Sequence, residues 1–291
     1  MLLVGLPSFS YNQLPAEVEQ KLPGHESVDA KVSLLLAKAD SILDYDLDLA
    51  YEVCLLALGQ LKDGTKPPTI ANSQVMMARI HTQKVQYDSS LQYLLAAEQI
   101  FKAEGLQLQL ANTYQAYQEV YTNQKEYKLG LEYAFKASEI YQELDDKHGL
   151  ASAYNSVAWV QLRQEEYETA LQYGDKALDL LQAESADELK GTIHFTRGSA
   201  YVSSSSYDLA LLELTQAMDY LQRAGASPLT LSRVINSRGN AYKLMGNHKA
   251  AIRDYQDNLA LCEELGHKRG VMVSNANLGH AHLLNKNYQA A

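Results

Sequence analysis

Cysteine is nearly absent from this sequence. Only Cys54 and Cys262 occur in 291 residues, which argues against a scaffold held together by disulfides and leaves no CxxC pair for zinc or redox chemistry. A sequence repeat, described below, separates the two cysteines by five periods. They are too far apart to meet in a structure where each repeat touches only its neighbours. We therefore interpret both as small buried hydrophobic residues.

Long apolar runs and an excess of positive charge are also missing. No segment approaches the roughly 18 consecutive apolar residues of a membrane-spanning helix, so we expect no membrane insertion. Lys and Arg number 25 against 35 Asp and Glu, a formal charge of -10. Nucleic-acid binding requires clustered Lys and Arg. The sequence therefore argues against a nucleic-acid partner and favours a neutral or basic one.

The common catalytic motifs are missing as well. The sequence contains no GxxxxGK[ST] phosphate loop, no HExxH zinc motif and no GxSxG nucleophile motif. His280 and His282 are two residues apart, so on a helix they diverge and form a poor metal pair. We therefore predict that the chain is not an enzyme, uses no cofactor and holds no metal.

One short pattern, Tyr-x-x-Ala-Leu, recurs at a fixed spacing. It is clearest at Tyr167, Ala170 and Leu171, and its first position is repeated 40 or 41 residues apart at Tyr87, Tyr127, Tyr167, Tyr207, His248 and Tyr288. A period of 20 to 50 residues is typical of a solenoid, in which one supersecondary unit is stacked repeatedly because it cannot bury its apolar face alone.

Columns of small residues share this period. One column lies twelve positions before Ala170 and its equivalents, and another lies seven positions after them. The first comprises Ala78, Ala158, Gly198, Gly239 and Gly279, and the second comprises Ala57, Ala97, Ala137, Ala177 and Ala217. Short side chains at facing positions let two antiparallel helices approach closely. The unit is therefore predicted to be a helix pair.

The pattern resembles the tetratricopeptide repeat, most clearly at residues 238–242 (RGNAY) and 278–282 (LGHAH). The repeat is six residues longer than the common 34-residue form, and it lacks the proline that usually closes the second helix. Repeats of this length resemble those of Pins/LGN-type adaptors and of bacterial sensor and regulator proteins. The resemblance implies an all-α, right-handed solenoid of stacked antiparallel helix pairs that binds a protein or peptide.

The period also predicts the domain organisation. Residues 1–27 form an irregular lead-in, and residues 28–291 form a single solenoid of about six repeats and a partial seventh. The repeats are predicted at 28–65, 69–105, 108–145, 148–185, 188–226, 229–266 and 269–291. The stretch from Asp63 to Pro68 is the longest predicted break, and a hinge there is an expectation.

Helix ends are predicted from turn-forming residues. Residues suited to the left-handed conformation recur where each second helix should end, at Gly105, Asp145, Ser185, Gly225 and Gly266. Ser27 is a predicted N-cap, residues 46–61 are predicted as the second helix, and Pro228 fits a first helical turn. The four serines 203–206 are predicted to form a turn.

The first helices of the pairs should line the concave face, where a peptide or protein would bind. The predicted binding residues on that face are Asn72, Arg79, Asn112, Gln115, Glu119, Asn123, Asn155, Trp159, Arg163, Phe195, Arg233, Asn236, Asn240 and Lys243. Asparagine disfavours helix interiors, and its amide offers both a donor and an acceptor to a peptide backbone. Trp159 is either a binding hot spot or a core residue.

Our leading interpretation is a non-enzymatic scaffold that binds a peptide or protein segment in its concave groove, as the input part of a longer signalling or regulatory protein. The sequence stops at Ala291, where another helix has barely begun, so we expect either a continuation of the chain or self-association through this edge. A stand-alone adaptor is one alternative. A regulatory phosphatase of the Rap type is another, although residues 1–27 are too short and proline-rich for the helical bundle it requires.

The location within the cell is expected to be the cytoplasm. The apolar residues 1–10 leave a second interpretation open, because they also fit the tail of a cleaved signal peptide. In that case the protein would be periplasmic.

Overall fold

The computed structural model describes residues 27–43, 46–182 and 184–285, and this part of the chain folds into thirteen α-helices without strands. The helices are α1 (Val28–Ile42), α2 (Leu47–Gly59), α3 (Pro67–Gln83), α4 (Tyr87–Ala103), α5 (Gln107–Asn123), α6 (Tyr127–Glu143), α7 (Lys147–Arg163), α8 (Tyr167–Leu180), α9 (Asp187–Ser203), α10 (Tyr207–Arg223), α11 (Pro228–Leu244), α12 (His248–Glu264) and α13 (Lys268–Leu284). None of these helices is both long and apolar enough to cross a bilayer.

The helices form a continuous array of antiparallel pairs. Each odd-numbered helix packs on the even-numbered helix that follows it and on the odd-numbered helix of the next pair. Among the described residues, no two even-numbered helices pack on each other. The odd-numbered helices therefore lie on the inner side of the curve and the even-numbered helices on the outer side. The prediction of an all-α repeat solenoid is confirmed.

Small residues occupy the seams between helices. Ala78, Ala158 and Ala177 are fully buried. A Cβ atom added to Gly198 in α9 would lie 2.7 Å from Leu214 Cγ in α10. This separation is closer than carbon atoms pack, so only glycine permits the observed approach of the two helices. The small-residue columns act as predicted, by letting paired helices come together.

The left-handed turn residues follow the period. Gly105, Asp145, Gly225 and Gly266 have φ of 67°, 54°, 65° and 65°. Ser185 is not in this conformation, because the helix before it already ends at Leu180. A second series within the pairs was not predicted, and it comprises Val85, Lys125, Glu165, Ser205 and Gly246.

Several predicted helix ends are observed. The Ser27 hydroxyl accepts from the Ala30 amide at 3.2 Å, residues 203–206 form the turn between α9 and α10, and Pro228 begins α11. The break lies at residues 60–66 rather than 63–68, because the second helix ends at Gly59 and α3 begins at Pro67, where a first turn needs no amide proton. Residues 1–26 and 286–291, including Tyr288 and Ala291, lie outside the described part, and the repeat boundaries stay a prediction.

Two later helix pairs carry ion pairs at the positions where the α5–α6 pair carries two stacked rings. Tyr117 and Tyr133 stack at 4.5 Å between α5 and α6. At the equivalent positions, the Arg197 guanidinium donates to both Glu213 carboxylate oxygens at 3.0 and 2.8 Å. One repeat later, Arg238 donates to Asp254 through two bonds of 2.9 Å. Both carboxylates are buried.

Candidate functional site

The inner faces of α1, α3, α5, α7, α9 and α11 line one elongated cavity of ≈ 720 Å³. Its lining is periodic, because equivalent positions of successive odd-numbered helices recur along its length. One such row contains Asn72, Asn112, Ser152 and Thr192, which are 40 residues apart. The sequence repeat therefore produces a ladder of polar side chains.

Ten of the predicted binding residues line this cavity. They are Asn72, Arg79, Asn112, Gln115, Glu119, Asn123, Asn155, Trp159, Phe195 and Arg233. Counting positions from the small-residue column therefore places most of the predicted set on one surface. Whether that surface binds a partner remains a prediction.

The other four predicted residues are not part of the lining. Arg163 is the exposed last residue of α7. The Asn236 side-chain oxygen accepts from the Asn277 amide at 2.9 Å. The Asn240 side-chain oxygen accepts from the Tyr255 hydroxyl at 2.7 Å and from the Lys243 ammonium at 3.3 Å. The side-chain oxygens of these two asparagines are already used within the fold.

The middle of the cavity is a network of side-chain amides. The Tyr141 hydroxyl lies 2.6 Å from the Asn112 side-chain oxygen and 2.9 Å from that of Gln115. The Gln115 amide nitrogen donates to the Ser152 hydroxyl at 2.9 Å. Burial, with a smaller contribution from Asp146, raises the pKa of Tyr141 far above its ordinary value. Tyr141 therefore remains a neutral donor that orients the amides.

Asn155 has an unused acceptor. It lies on α7, one helical turn before Trp159, and its side-chain oxygen is buried without a hydrogen-bond partner among the described residues. A buried acceptor left unpaired costs about 1–3 kcal/mol. A ligand that donates an N–H group here would recover part of that cost.

Aromatic rings form the end of the cavity near α9 and α11. The Trp159 and Phe195 rings are 6.3 Å apart between centroids and inclined by 25°. The Arg233 guanidinium lies 5.6 Å from the Phe195 centroid, within the range of a cation–π contact. Trp159 also packs against the core cluster of Leu162, Ala170 and Ala200. It therefore contacts the core and lines the cavity at once.

The opposite end carries a paired charge. Arg79 on α3 forms an ion pair with Asp40 on α1, and both line the cavity. His81 lies further along α3, where its ring stacks on Tyr93 at 5.4 Å as a packing residue. Among residues 27–43, 46–182 and 184–285, no three His, Cys, Asp or Glu side chains converge as metal ligands would.

The prediction missed the residues from the outer helices that reach the cavity. Phe101 on α4 and Leu221 on α10 contribute to its lining, and Tyr141 on α6 binds its amides. These residues share one column, four positions before Gly105, Asp145 and Gly225. The same 40-residue period was therefore the signal that could have identified them.

A family model for the tetratricopeptide repeat matches residues 119–183, from the end of α5 to the residues after α8. This part of the chain therefore contains tetratricopeptide-type repeats. No curated protein matches its sequence. The likeness over the rest of the chain is to solved structures.

Similar folds occur in bacterial and archaeal regulators. A signal transduction ATPase with a tetratricopeptide repeat sensor from Pyrococcus horikoshii has a TM-score of 0.66 at 14% identity, over 88% of this chain and 38% of that one. NprR in complex with its cognate peptide NprX has a TM-score of 0.65 at 14% identity, over 94% and 78%. Aspartyl phosphate phosphatase F from Bacillus subtilis has a TM-score of 0.60 at 14% identity, over 90% and 72%. At these identities the likeness shows the fold alone.

Proposed function

We propose that this repeat protein is a non-enzymatic scaffold whose cavity binds an extended peptide or protein segment. The observation that carries the proposal is the polar ladder on the four successive inner helices α3, α5, α7 and α9, together with the unpaired acceptor of Asn155. An extended peptide presents N–H and C=O groups at regular intervals, and side-chain amides complement both.

Two similar structures support this class of ligand. NprR is solved with its cognate peptide NprX, and a Rap protein is solved with Competence and Sporulation Factor, at a TM-score of 0.59 and 15% identity. Because these folds hold ligands of this kind, a peptide is the first class to test against the cavity of this chain.

We further propose that the chain is the sensing part of a longer cytoplasmic regulator. The Pyrococcus ATPase supports this role, because this chain matches only 38% of its length and that protein carries a repeat sensor beside other domains. A stand-alone adaptor that joins two proteins is the alternative within the same binding class.

Selection from a displayed library of random dodecapeptides tests the binding proposal. The immobilised chain should enrich peptides that bind with a dissociation constant in the micromolar range. Their affinity should fall in Gln115→Ala, which removes a side-chain amide from the cavity lining, and stay unchanged in Gln172→Ala, an exposed residue on the outer helix α8. If the selected peptides bind both variants with equal affinity, the result contradicts binding in the cavity.

The likeness to aspartyl phosphate phosphatase F favours a second candidate function. In that case the chain would act on a phosphorylated response regulator. Incubation of the purified chain with response regulators that have been phosphorylated by acetyl phosphate distinguishes the two candidates. Accelerated loss of the aspartyl phosphate would replace our proposal with this one.

A further inference from the structure

Lys243 occupies a position that the earlier repeats fill with threonine or an aliphatic residue. The equivalent residues on α3, α5, α7 and α9 are Thr82, Thr122, Leu162 and Val202. The first three are buried against the outer helix of their own pair. Lys243 lies half-buried at the same place in α11. The repeat therefore holds its amine partly out of water.

Two uncharged side chains surround the Lys243 amine. The amine donates to the Asn240 side-chain oxygen at 3.3 Å, and it lies 5.9 Å from the centroid of the Tyr255 ring on α12. The Tyr255 hydroxyl donates to the same Asn240 oxygen at 2.7 Å. Tyr255 is fully buried, so the Asn240 amide that it orients is a fixed acceptor for the amine.

The amine also lacks a counter-charge. No carboxylate within the described residues is close enough to form an ion pair with Lys243. Asp254, the neighbour of Tyr255 on α12, is engaged by Arg238 through two hydrogen bonds of 2.9 Å. Burial without a carboxylate disfavours the charged form of a lysine, and it lowers the pKa of Lys243 below its ordinary value of 10.5. More of this amine is therefore neutral and nucleophilic than in an exposed lysine.

We propose that the Lys243 amine is a site of covalent modification by small activated acyl groups, of the kind carried by acyl phosphates and acyl thioesters. The lone pair of the neutral Nζ attacks the carbonyl carbon of the donor and forms a C–N bond. The bond from that carbon to the phosphate oxygen or to the thiol sulfur breaks, and the leaving group keeps its electron pair. Nζ releases one proton, so the products are a neutral amide and free phosphate or thiol.

Asn240 favours this reaction by orienting the amine. Its side-chain oxygen accepts one N–H of the neutral amine, so the lone pair points away from Asn240 and toward an incoming carbonyl. The same oxygen stabilises the positive charge that develops on Nζ during the attack. Because Lys243 is only half exposed, a small acyl group such as acetyl reaches it more easily than a donor carried by another protein.

The assignment is independent of peptide binding, because Lys243 does not belong to the cavity lining. Acylation replaces a cation at the seam between α11 and α12 by a neutral amide. The amide N–H can still donate to the Asn240 oxygen. We therefore expect the modified chain to stay folded.

Acetylation rates within one chain test this assignment. The full chain is incubated at about pH 8 with acetyl phosphate in one arm and acetyl coenzyme A in the other, and mass spectrometry follows each lysine. Lys243 should react at least about threefold faster than Lys125 and Lys249, because a larger fraction of its amine is neutral. Both controls are exposed, and Lys125 follows the inner helix α5 in an earlier repeat. In concentrated guanidinium chloride the three rates should become similar.

Asn240→Asp supplies the missing counter-charge. It places a carboxylate beside the amine with almost no change in size, so the protonated form is favoured and Lys243 should slow to the rate of Lys125. The control is Asn236→Asp, the same substitution one helical turn earlier on α11, and it should leave Lys243 the fastest lysine. Circular dichroism verifies that both variants are folded.

A preference for Lys243 in either arm supports the site and identifies the class of donor. Equal rates for Lys243, Lys125 and Lys249 in both arms would overturn the assignment, and so would an unchanged preference in folded Asn240→Asp. The first comparison lies within the wild-type chain and needs no variant to fold.

Discussion

Trp159 contacts the core and the cavity, so its two roles can be separated by measurement. Removing the indole in Trp159→Ala should weaken binding of the selected peptides by about 2 kcal/mol, because buried tryptophans dominate interface energies. Helical content should stay intact, since the seam residues Ala158 and Ala170 are unchanged.

Isothermal titration calorimetry and thermal unfolding together test this prediction. Ser156→Ala, on the same helix and on the cavity lining, serves as the control for a small change at this surface. If Trp159→Ala loses thermal stability in proportion to affinity, Trp159 is a core residue and the hot-spot interpretation is wrong.

The unpaired oxygen of Asn155 predicts opposite effects on stability and binding. Asn155→Leu removes an unsatisfied buried acceptor, so the free energy of unfolding should be equal to that of the wild type or higher by about 1 kcal/mol. Peptide affinity should nevertheless fall. Asn275→Leu, at an exposed position on α13, is the control. It removes no buried acceptor, so it should change neither the free energy of unfolding nor the peptide affinity.

Urea unfolding and fluorescence polarisation measure the two effects of Asn155→Leu. A marked loss of stability would show that the amide is needed for folding rather than for the ligand. Unchanged affinity would show that no peptide group reaches Asn155.

At the scale of the helix pair, the glycine column sets the distance between partners. Gly198→Ala places a Cβ 2.7 Å from Leu214 Cγ and 2.8 Å from its Cδ2. We expect a loss of about 1–3 kcal/mol, the usual cost of overpacking. Ser199→Ala, on the same helix, removes only a hydroxyl that binds its own helix at 2.8 Å and should cost less. Thermal unfolding compares the two variants. Equal unfolding midpoints would contradict close packing of α9 and α10 at Gly198.

The ion pair of α9 and α10 predicts a dependence on pH. Burial alone raises the pKa of Glu213, but hydrogen bonds from His194 and Arg197 outweigh burial and lower this pKa below its ordinary value of 4.5. A carboxyl with a lowered pKa contributes stability above pH 4.5, and this contribution is lost as the pH falls through the pKa of the folded state.

Unfolding by urea between pH 7 and pH 3 measures this contribution. Glu213→Gln should show a shallower loss of stability over this range than the wild type, whereas Glu139→Gln, an exposed residue on α6, should follow the wild type. Parallel curves for Glu213→Gln and the wild type would mean that the Glu213 carboxyl contributes nothing to the pH dependence of the free energy of unfolding.

How much the sequence predicts differs between elements and side chains. The period located the seams at Ala78, Ala158 and Gly198, because small residues at a fixed spacing indicate where two helices approach closely. It did not predict that Asn236 and Asn240 use their side-chain oxygens within the fold, since those bonds depend on Asn277 and Tyr255 from neighbouring helices. Nor did it predict that charged residues at the positions equivalent to Tyr117 and Tyr133 form ion pairs, because a ring pair and an ion pair fill the same space.

At the scale of the whole molecule, α13 presents an apolar surface. Met272 is 72% exposed, and Val273, Leu283 and Leu284 are exposed as well. Exposed apolar side chains on one helix favour association, so we predict a concentration-dependent dimer. Multi-angle light scattering should show that Met272→Lys shifts the mass toward the monomer, whereas Leu129→Lys on α6 does not. A monomeric wild type at high concentration would exclude self-association through α13.

The inner helices touch one another, whereas the outer helices are separated from each other by the inner ones. Bending or twisting of the array must slide the inner helices along their shared contacts, and it also moves each outer helix against the inner helix of the next pair. A ligand that lies along the inner helices and binds several of them at once would restrain this motion. Binding would therefore change the pitch of the whole helical array. Small-angle X-ray scattering could measure this change without any label near the cavity.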